Sequence, residues 1–204
     1  MSQNEQDALR LEYERRVEYL KQFGYDIVAE KKSLVAMAQP IEGRILEVGT
    51  GKGDLTVELA LNQKNGFISL DASDNEQQVA LANLAHLGRS EQVELVTCDA
   101  MEMHFHDGVF DVVFCCDTLH HIAATDRYSF VAELLRVTAP KGRLIISDFN
   151  EAGVKMADRI YESKGSRHLV SNKHLKDVYR YLQEREIPVL LQEREFHQIL
   201  LIKL

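Results

Sequence analysis

Residues 44–56 read RILEVGTGKGDLT. Ile45, Leu46 and Val48 make a short apolar run suited to a buried strand, and Glu47 interrupts it near its end. Gly49, Gly51 and Gly53 alternate with Thr50 and Lys52, and Leu55, Val57, Leu59 and Ala60 open a helical pattern. Strand, glycine turn and helix in that order are half of a βαβ unit. A phosphate-binding loop ending in Gly51-Lys52 needs Gly at 46 and Ser or Thr at 53, where Leu46 and Gly53 stand. A dinucleotide loop starting at Gly49 needs Gly at 54, where Asp54 stands. What remains is E-x-G-x-G-x-G. The plainer alternative is a tight turn with no ligand, but three spaced glycines cost backbone entropy that a mere turn does not require.

Outward from this stretch, helices are expected over about 3–23, stopped by Gly24, and over about 27–38, before Pro40. Both are read as amphipathic cover for the core or for a ligand cleft. Phe67 to Leu70 is the second strand, ending in Asp71, and Ser73 with Glu76 signals a capped helix that Gly88 ends. Val93 to Thr97 is the third strand. Phe110 to Cys116, nearly all apolar, is a central fourth strand. A helix around Phe130 to Leu135 is broken by Pro140-Lys141-Gly142, before a fifth strand at Leu144 to Ile146. Two helical patterns then precede strands at 189–191 and 199–202, close enough for an antiparallel hairpin.

Alternating strands and helices imply right-handed crossovers and a parallel sheet, with ligands at the carboxyl ends of the strands. Glu47, Asp71, Asp99 and Asp117 fall at or near four such ends. An acid ending the second strand can accept from both hydroxyls of a ribose. An acidic crevice also favours a positively charged ligand. The net charge is −8, from 24 Lys and Arg against 32 Asp and Glu, which argues against nucleic acid as partner. No apolar run is long enough to span a bilayer, and the charged N-terminus does not read as a secretory signal. Three cysteines do not make a disulfide framework, so a cytoplasmic protein is expected.

These motifs, with the run CDAMEMHFHDGVFDVVFCCDTLHHI over 98–122, resemble the class I S-adenosylmethionine-dependent methyltransferases over roughly residues 27–150. The likeness is to the small-molecule group that includes the ubiquinone/menaquinone C-methyltransferases. The resemblance implies an α/β, Rossmann-like methyltransferase fold. It has a doubly wound, mostly parallel seven-stranded sheet with a C-terminal antiparallel hairpin and N-terminal helices. It implies one domain over 1–204, divided as 1–42, 43–150 and 151–204. It implies S-adenosylmethionine as cofactor and a small-molecule acceptor. The backbone at Gly49, Thr50 and Gly51 would hold the methionine portion, within a site that also takes in Glu47 and Gly53. Asp71 would bind the ribose, Asp99 the adenine amino group and the Ala100 N–H the ring. A carbonyl of Cys115 or Cys116 would meet the ammonium. Ala72 departs from the larger apolar residue often found against the adenine.

His120 and His121, just after Asp117, are candidate catalytic residues, since imidazole titrates near neutrality. The alternative is that they pack and cap the turn. Asp148 and Asn150, with Asp117, could imitate the metal site of the cation-dependent O-methyltransferases, but spacing alone supports this and no metal is expected. The Cys115-Cys116 pair has no second cysteine pair at zinc spacing. Residues 150–173, relatively basic and flanked by Gly153 and Gly165 as hinges, read as a mobile lid over the acceptor, the plainer alternative being an ordinary solvated helix. A binding protein without turnover and an enzyme acting on a protein side chain stay open as alternatives.

Overall fold

The computed structural model describes residues 1–166 and 174–204. The first helix, α1 (Gln3–Lys21), starts at Ser2. The Ser2 hydroxyl accepts from the Glu5 N–H, and the Glu5 carboxylate accepts from the Ser2 N–H. This reciprocal cap satisfies two donors that a helix start leaves unpaired. Gly24, at φ +82°, closes the helix with its N–H on the Lys21 carbonyl. In α2 (Ile27–Met37) the Asp26 carboxylate does the capping. The chain then alternates through β1 (Ile45–Val48), α3 (Asp54–Asn62), β2 (Phe67–Asp71), α4 (Asp74–His86), β3 (Val93–Thr97), β4 (Phe110–Cys116), α5 (Arg127–Val137) and β5 (Thr138–Phe149). It ends in α6 (Glu151–Ser163), α7 (His174–Gln183), β6 (Val189–Glu193) and β7 (His197–Lys203).

The seven strands run in the order β3-β2-β1-β4-β5-β7-β6. β2 pairs parallel with β3, and β4 parallel with both β1 and β5. β7 runs antiparallel to β5 and to β6. The mostly parallel sheet with a terminal hairpin is the one expected. Strand order turns back at β1 and β4, the place where such sheets bind ligands. Among the described residues no helix is long and apolar enough to cross a membrane.

The residues group into two compact units, 1–41 with 49–99 and 42–48 with 100–204. In the first, α1 lies against α4 and α2 against α3. The Arg16 guanidinium grips Asp54, the first residue of α3, through two 2.9 Å bonds. In the second, Phe114 of β4 and Phe130 of α5 are fully buried, with Leu144, Ile145 and Ile146 of β5. Arg136 ties the segment before β4 to α5, donating to the Met103 and Phe105 carbonyls and to Glu133.

Two features differ from the sequence reading. Pro140-Lys141-Gly142 does not separate helix from strand but lies inside the span of β5, which starts at Thr138 directly after α5. The pairing jumps from Phe110 with Thr138 to Val112 with Arg143, so the intervening residues bulge out of the ladder. Proline has no N–H to give the ladder, and Lys141 takes φ +71°, which suits a bulge and not a regular strand.

Gly153 is also not a hinge. It is buried in the first turn of α6, where an added Cβ would collide with the Phe196 carbonyl and lie 2.7 Å from the Phe149 ring. Glycine here allows close packing of α6, which also buries Met156, Ala157 and Ile160. Gly165, at φ +69°, does end that helix region. Arg167 and Lys173 of the expected lid lie outside the described residues. Alanine normally favours a helix over glycine. Gly153→Ala should nonetheless destabilise the protein by about 1–3 kcal/mol through overpacking, read as a lowered urea midpoint. A midpoint at or above that of wild type would show that α6 is not seated this tightly.

Candidate active site

In the first unit the glycine turn hangs from the end of β2. The Gly49 and Thr50 N–H groups both donate to the Leu70 carbonyl, at 2.8 and 3.0 Å. Left-handed φ values at Gly49 (+95°), Gly51 (+49°) and Gly53 (+85°) make the turn possible without Cβ strain. The Asp71 carboxylate then fixes it. Its Oδ2 accepts from the Gly51 N–H at 2.8 Å and its Oδ1 from the Ser73 N–H at 2.8 Å. Each carboxylate oxygen keeps further acceptor capacity after one such bond, so two hydroxyls can still be met.

The three glycines have different jobs. An added Cβ at Gly51 would meet nothing within 4 Å, so open space adjoins the backbone there. At Gly53 it would sit 2.8 Å from the Ala80 Cβ and 2.9 Å from its Cα. Gly53 thus allows the close approach of α3 to α4. Thr50 is buried, with its hydroxyl 2.7 Å from that of Ser69. Ala72 is exposed beside Asp71. Asp99, also exposed, follows Cys98, whose N–H donates to the Asp71 carbonyl. Burial and the Asp99 charge raise the Cys98 thiol pKa.

The second unit gathers a different chemistry. Glu47 is buried in β1 opposite Phe114, and Cys115 and Cys116 are buried at the end of β4. Burial, with the charge of Asp148, pushes the Cys115 thiol far up, so it stays a protonated core group. The Thr118 hydroxyl bridges the carbonyls of Cys116 and Val48, at 3.0 and 3.3 Å. Ala100, half-buried, opens this unit's long segment.

His120 and Asp148 form a close pair. Three N–H groups converge on the fully buried Asp148: the His120 backbone at 3.0 Å, the Phe149 backbone at 2.8 Å and the His120 ring Nδ1 at 2.7 Å. A carboxylate only accepts, so Nδ1 carries a proton and Nε2 is the basic nitrogen of the neutral ring. A second pair joins Asp117, at φ +52°, to His197 at the start of β7, with Nε2 donating to Oδ1 at 2.9 Å. The Phe149 ring lies between the two histidines, 5.8 Å from His120 and 4.9 Å from His197. His121, by contrast, is exposed, its ring 4.0 Å from that of His120.

Asp117 and His120 are legible in the sequence, and His197 is not. Its only trace was a histidine opening the last strand, and nothing local linked it to residue 117. Asp148 is taken up by His120, and Asn150 caps α6 while donating to the Arg194 and Glu195 carbonyls. Among the described residues no group of three or more His, Cys, Asp or Glu is placed to hold a metal ion.

A family described as "Methyltransferase domain" matches residues 46–146, from β1 through the bulged β5. This stretch is similar to the class I S-adenosylmethionine-dependent methyltransferases. It is 29% identical over 146 residues to a ubiquinone/menaquinone biosynthesis C-methyltransferase of Marinomonas sp., covering 69% of this chain and 57% of that one. It is 33% identical over 149 residues to the 27-O-demethylrifamycin SV methyltransferase of Amycolatopsis mediterranei, covering 69% and 52%. The chain thus spans little more than half the length of these relatives. A crystal structure of an S-adenosylmethionine-dependent methyltransferase from Aquifex aeolicus shares the fold, with TM-score 0.64 at 19% identity over 85% of this chain and 88% of that one.

Burial alone would lower the His120 pKa. The hydrogen bond and charge of Asp148, with the charge of Asp117, more than offset this and the opposing His197, so it lies above its ordinary 6.5. A raised folded pKa contributes stability that is whole below the ordinary value and is lost as pH rises through the folded one. Unfolding free energy should therefore fall from pH 6 into the mildly alkaline range. His120→Gln should flatten that slope, measured by urea denaturation across pH. An equal slope in both proteins would place the titration elsewhere.

Proposed function

We propose that this chain transfers the sulfonium methyl group of S-adenosylmethionine to a small-molecule acceptor. The observation that carries the reading is the Asp71 carboxylate at the end of β2, pinned by the Gly51 and Ser73 N–H groups beside a turn with open backbone. This donor set suits a nucleoside whose sugar offers two hydroxyls and which has no pyrophosphate to cradle. When bound, the cofactor supplies an electrophilic methyl group on a positively charged sulfur. The residues present fit it. Gly49, Thr50 and Gly51 would present backbone to the methionine portion, and Asp71 would take the ribose hydroxyls. The family resemblance would give the adenine edge to Asp99 and the Ala100 N–H, and the ammonium to a carbonyl of Cys115 or Cys116.

An acceptor whose nucleophilic atom carries a proton must lose it when that atom gains the methyl group. His120 receives that proton at Nε2, and Asp148 holds the imidazolium by its Nδ1–H. Asp117, kept in place by His197, adds a second negative charge that steadies the same cation. Free thiols at Cys98, Cys115 and Cys116 suit a reducing compartment, which supports a cytoplasmic enzyme.

The test combines methyl-labelled cofactor, the purified protein and a fractionated small-molecule extract. A labelled small product should appear, and His120→Gln should form it roughly 100-fold more slowly with unchanged affinity for S-adenosylhomocysteine. Label only on protein would favour a side-chain acceptor. Binding of S-adenosylhomocysteine without any labelled product would favour a protein that binds without turnover. Equal rates in both forms would leave positioning as the whole mechanism.

A further inference from the structure

Gln77 sits in the first turn of α4, buried at 3% exposure, on a helix otherwise read as an ordinary sheet cover. Its side-chain amide reaches three other segments. Nε2 lies 3.1 Å from the Val96 carbonyl in β3, 3.5 Å from the Ser69 carbonyl in β2 and 3.2 Å from the Thr50 hydroxyl in the glycine turn. The Thr97 hydroxyl donates to Oε1 at 3.0 Å. Carbonyls only accept, so the amide nitrogen must face Val96 and Ser69, and the oxygen must face Thr97. The amide has two N–H groups for these three acceptors, so the shorter contacts, to Val96 and to the Thr50 oxygen, take one each, and Ser69 at 3.5 Å only shares.

We propose that Gln77 is a positioning residue for the cofactor, holding the Gly49–Gly51 turn in its binding shape through the Thr50 side chain. The inference rests on the S-adenosylmethionine reading above. Thr50 stands between two glycines in left-handed conformations that have no side chain to anchor them. Its own side chain points away from the open face into a buried pair with Ser69. Holding this residue from below adds a side-chain anchor to the Leu70 and Asp71 bonds that align the turn's backbone groups. A glutamine meets the need because one amide supplies a donor to the turn, a donor to β3 and an acceptor to Thr97. An apolar residue of the same size fills the space but supplies none of these, leaving buried groups unpaired.

The experiment is a double-mutant cycle read by calorimetric titration of S-adenosylhomocysteine, with each variant's unfolding midpoint measured alongside. Gln77→Met and Thr50→Val should each weaken binding about tenfold, and the double variant no more than the weaker-binding single one. Thr97→Val, at an exposed position, should weaken it about threefold by freeing the amide. Single variants that bind like wild type would overturn the proposal. So would losses that multiply in the double variant, since a purely structural residue would act independently of Thr50. If Gln77→Met does not fold, a folded Thr97→Val with wild-type affinity overturns it equally. Wild-type protein that fails to bind S-adenosylhomocysteine would instead overturn the cofactor reading itself, and this inference with it.

Discussion

The Asp71 carboxylate receives one backbone N–H on each oxygen, from Gly51 before it in the chain and from Ser73 after it. Much follows from this arrangement. Gly51 belongs to a turn that three left-handed glycines make strongly curved, and Ser73 starts α4 by accepting from Glu76. One acid therefore fixes the turn and the start of the next helix together. Its charge draws both N–H groups inward more strongly than a neutral acceptor would, since charge-assisted bonds are roughly twice as strong. Beneath it, Thr50, Ser69, Gln77 and Thr97 form a hydrogen-bonded chain that ties the turn to β2, β3 and α4.

The second unit solves a different problem, how to keep charge in a buried place. Asp148 has no exposed surface, yet three N–H donors surround it, which offsets the loss of water. The same donors fix the His120 tautomer, so the proton-accepting nitrogen is determined by packing. Asp117 and His197 repeat the pairing across Phe149. Acid, imidazole and aromatic ring are thus brought together from the ends of β4 and β5 and the start of β7.

Local signals were legible where one segment carried the whole message. The glycine turn, the acids at strand ends, the helix stops at Gly24 and Gly88 and the apolar run of β4 could all be read in place. What could not be read depends on pairing between distant residues. His197 meets Asp117 only because β7 returns antiparallel beside β5, a register no local pattern specifies. Gln77 looks like any polar residue on a helix until β3 closes over it. Gly153 has the look of a hinge until the Phe196 carbonyl is laid against it. Gly53 shares a motif with Gly51 but faces Ala80, because the turn's third glycine lies where two helices meet. The bulge at Pro140 reads as a break because a bulged strand and a loop have the same composition.

The central claim is that Asp71 anchors the sugar of an adenosine cofactor, and calorimetric titration of S-adenosylhomocysteine into Asp71→Asn tests it most directly. The substitution keeps the shape and one acceptor oxygen but removes the charge. The account predicts a folded variant whose binding free energy is weaker than wild type by about 2–4 kcal/mol. A folded variant that binds with wild-type affinity would contradict it.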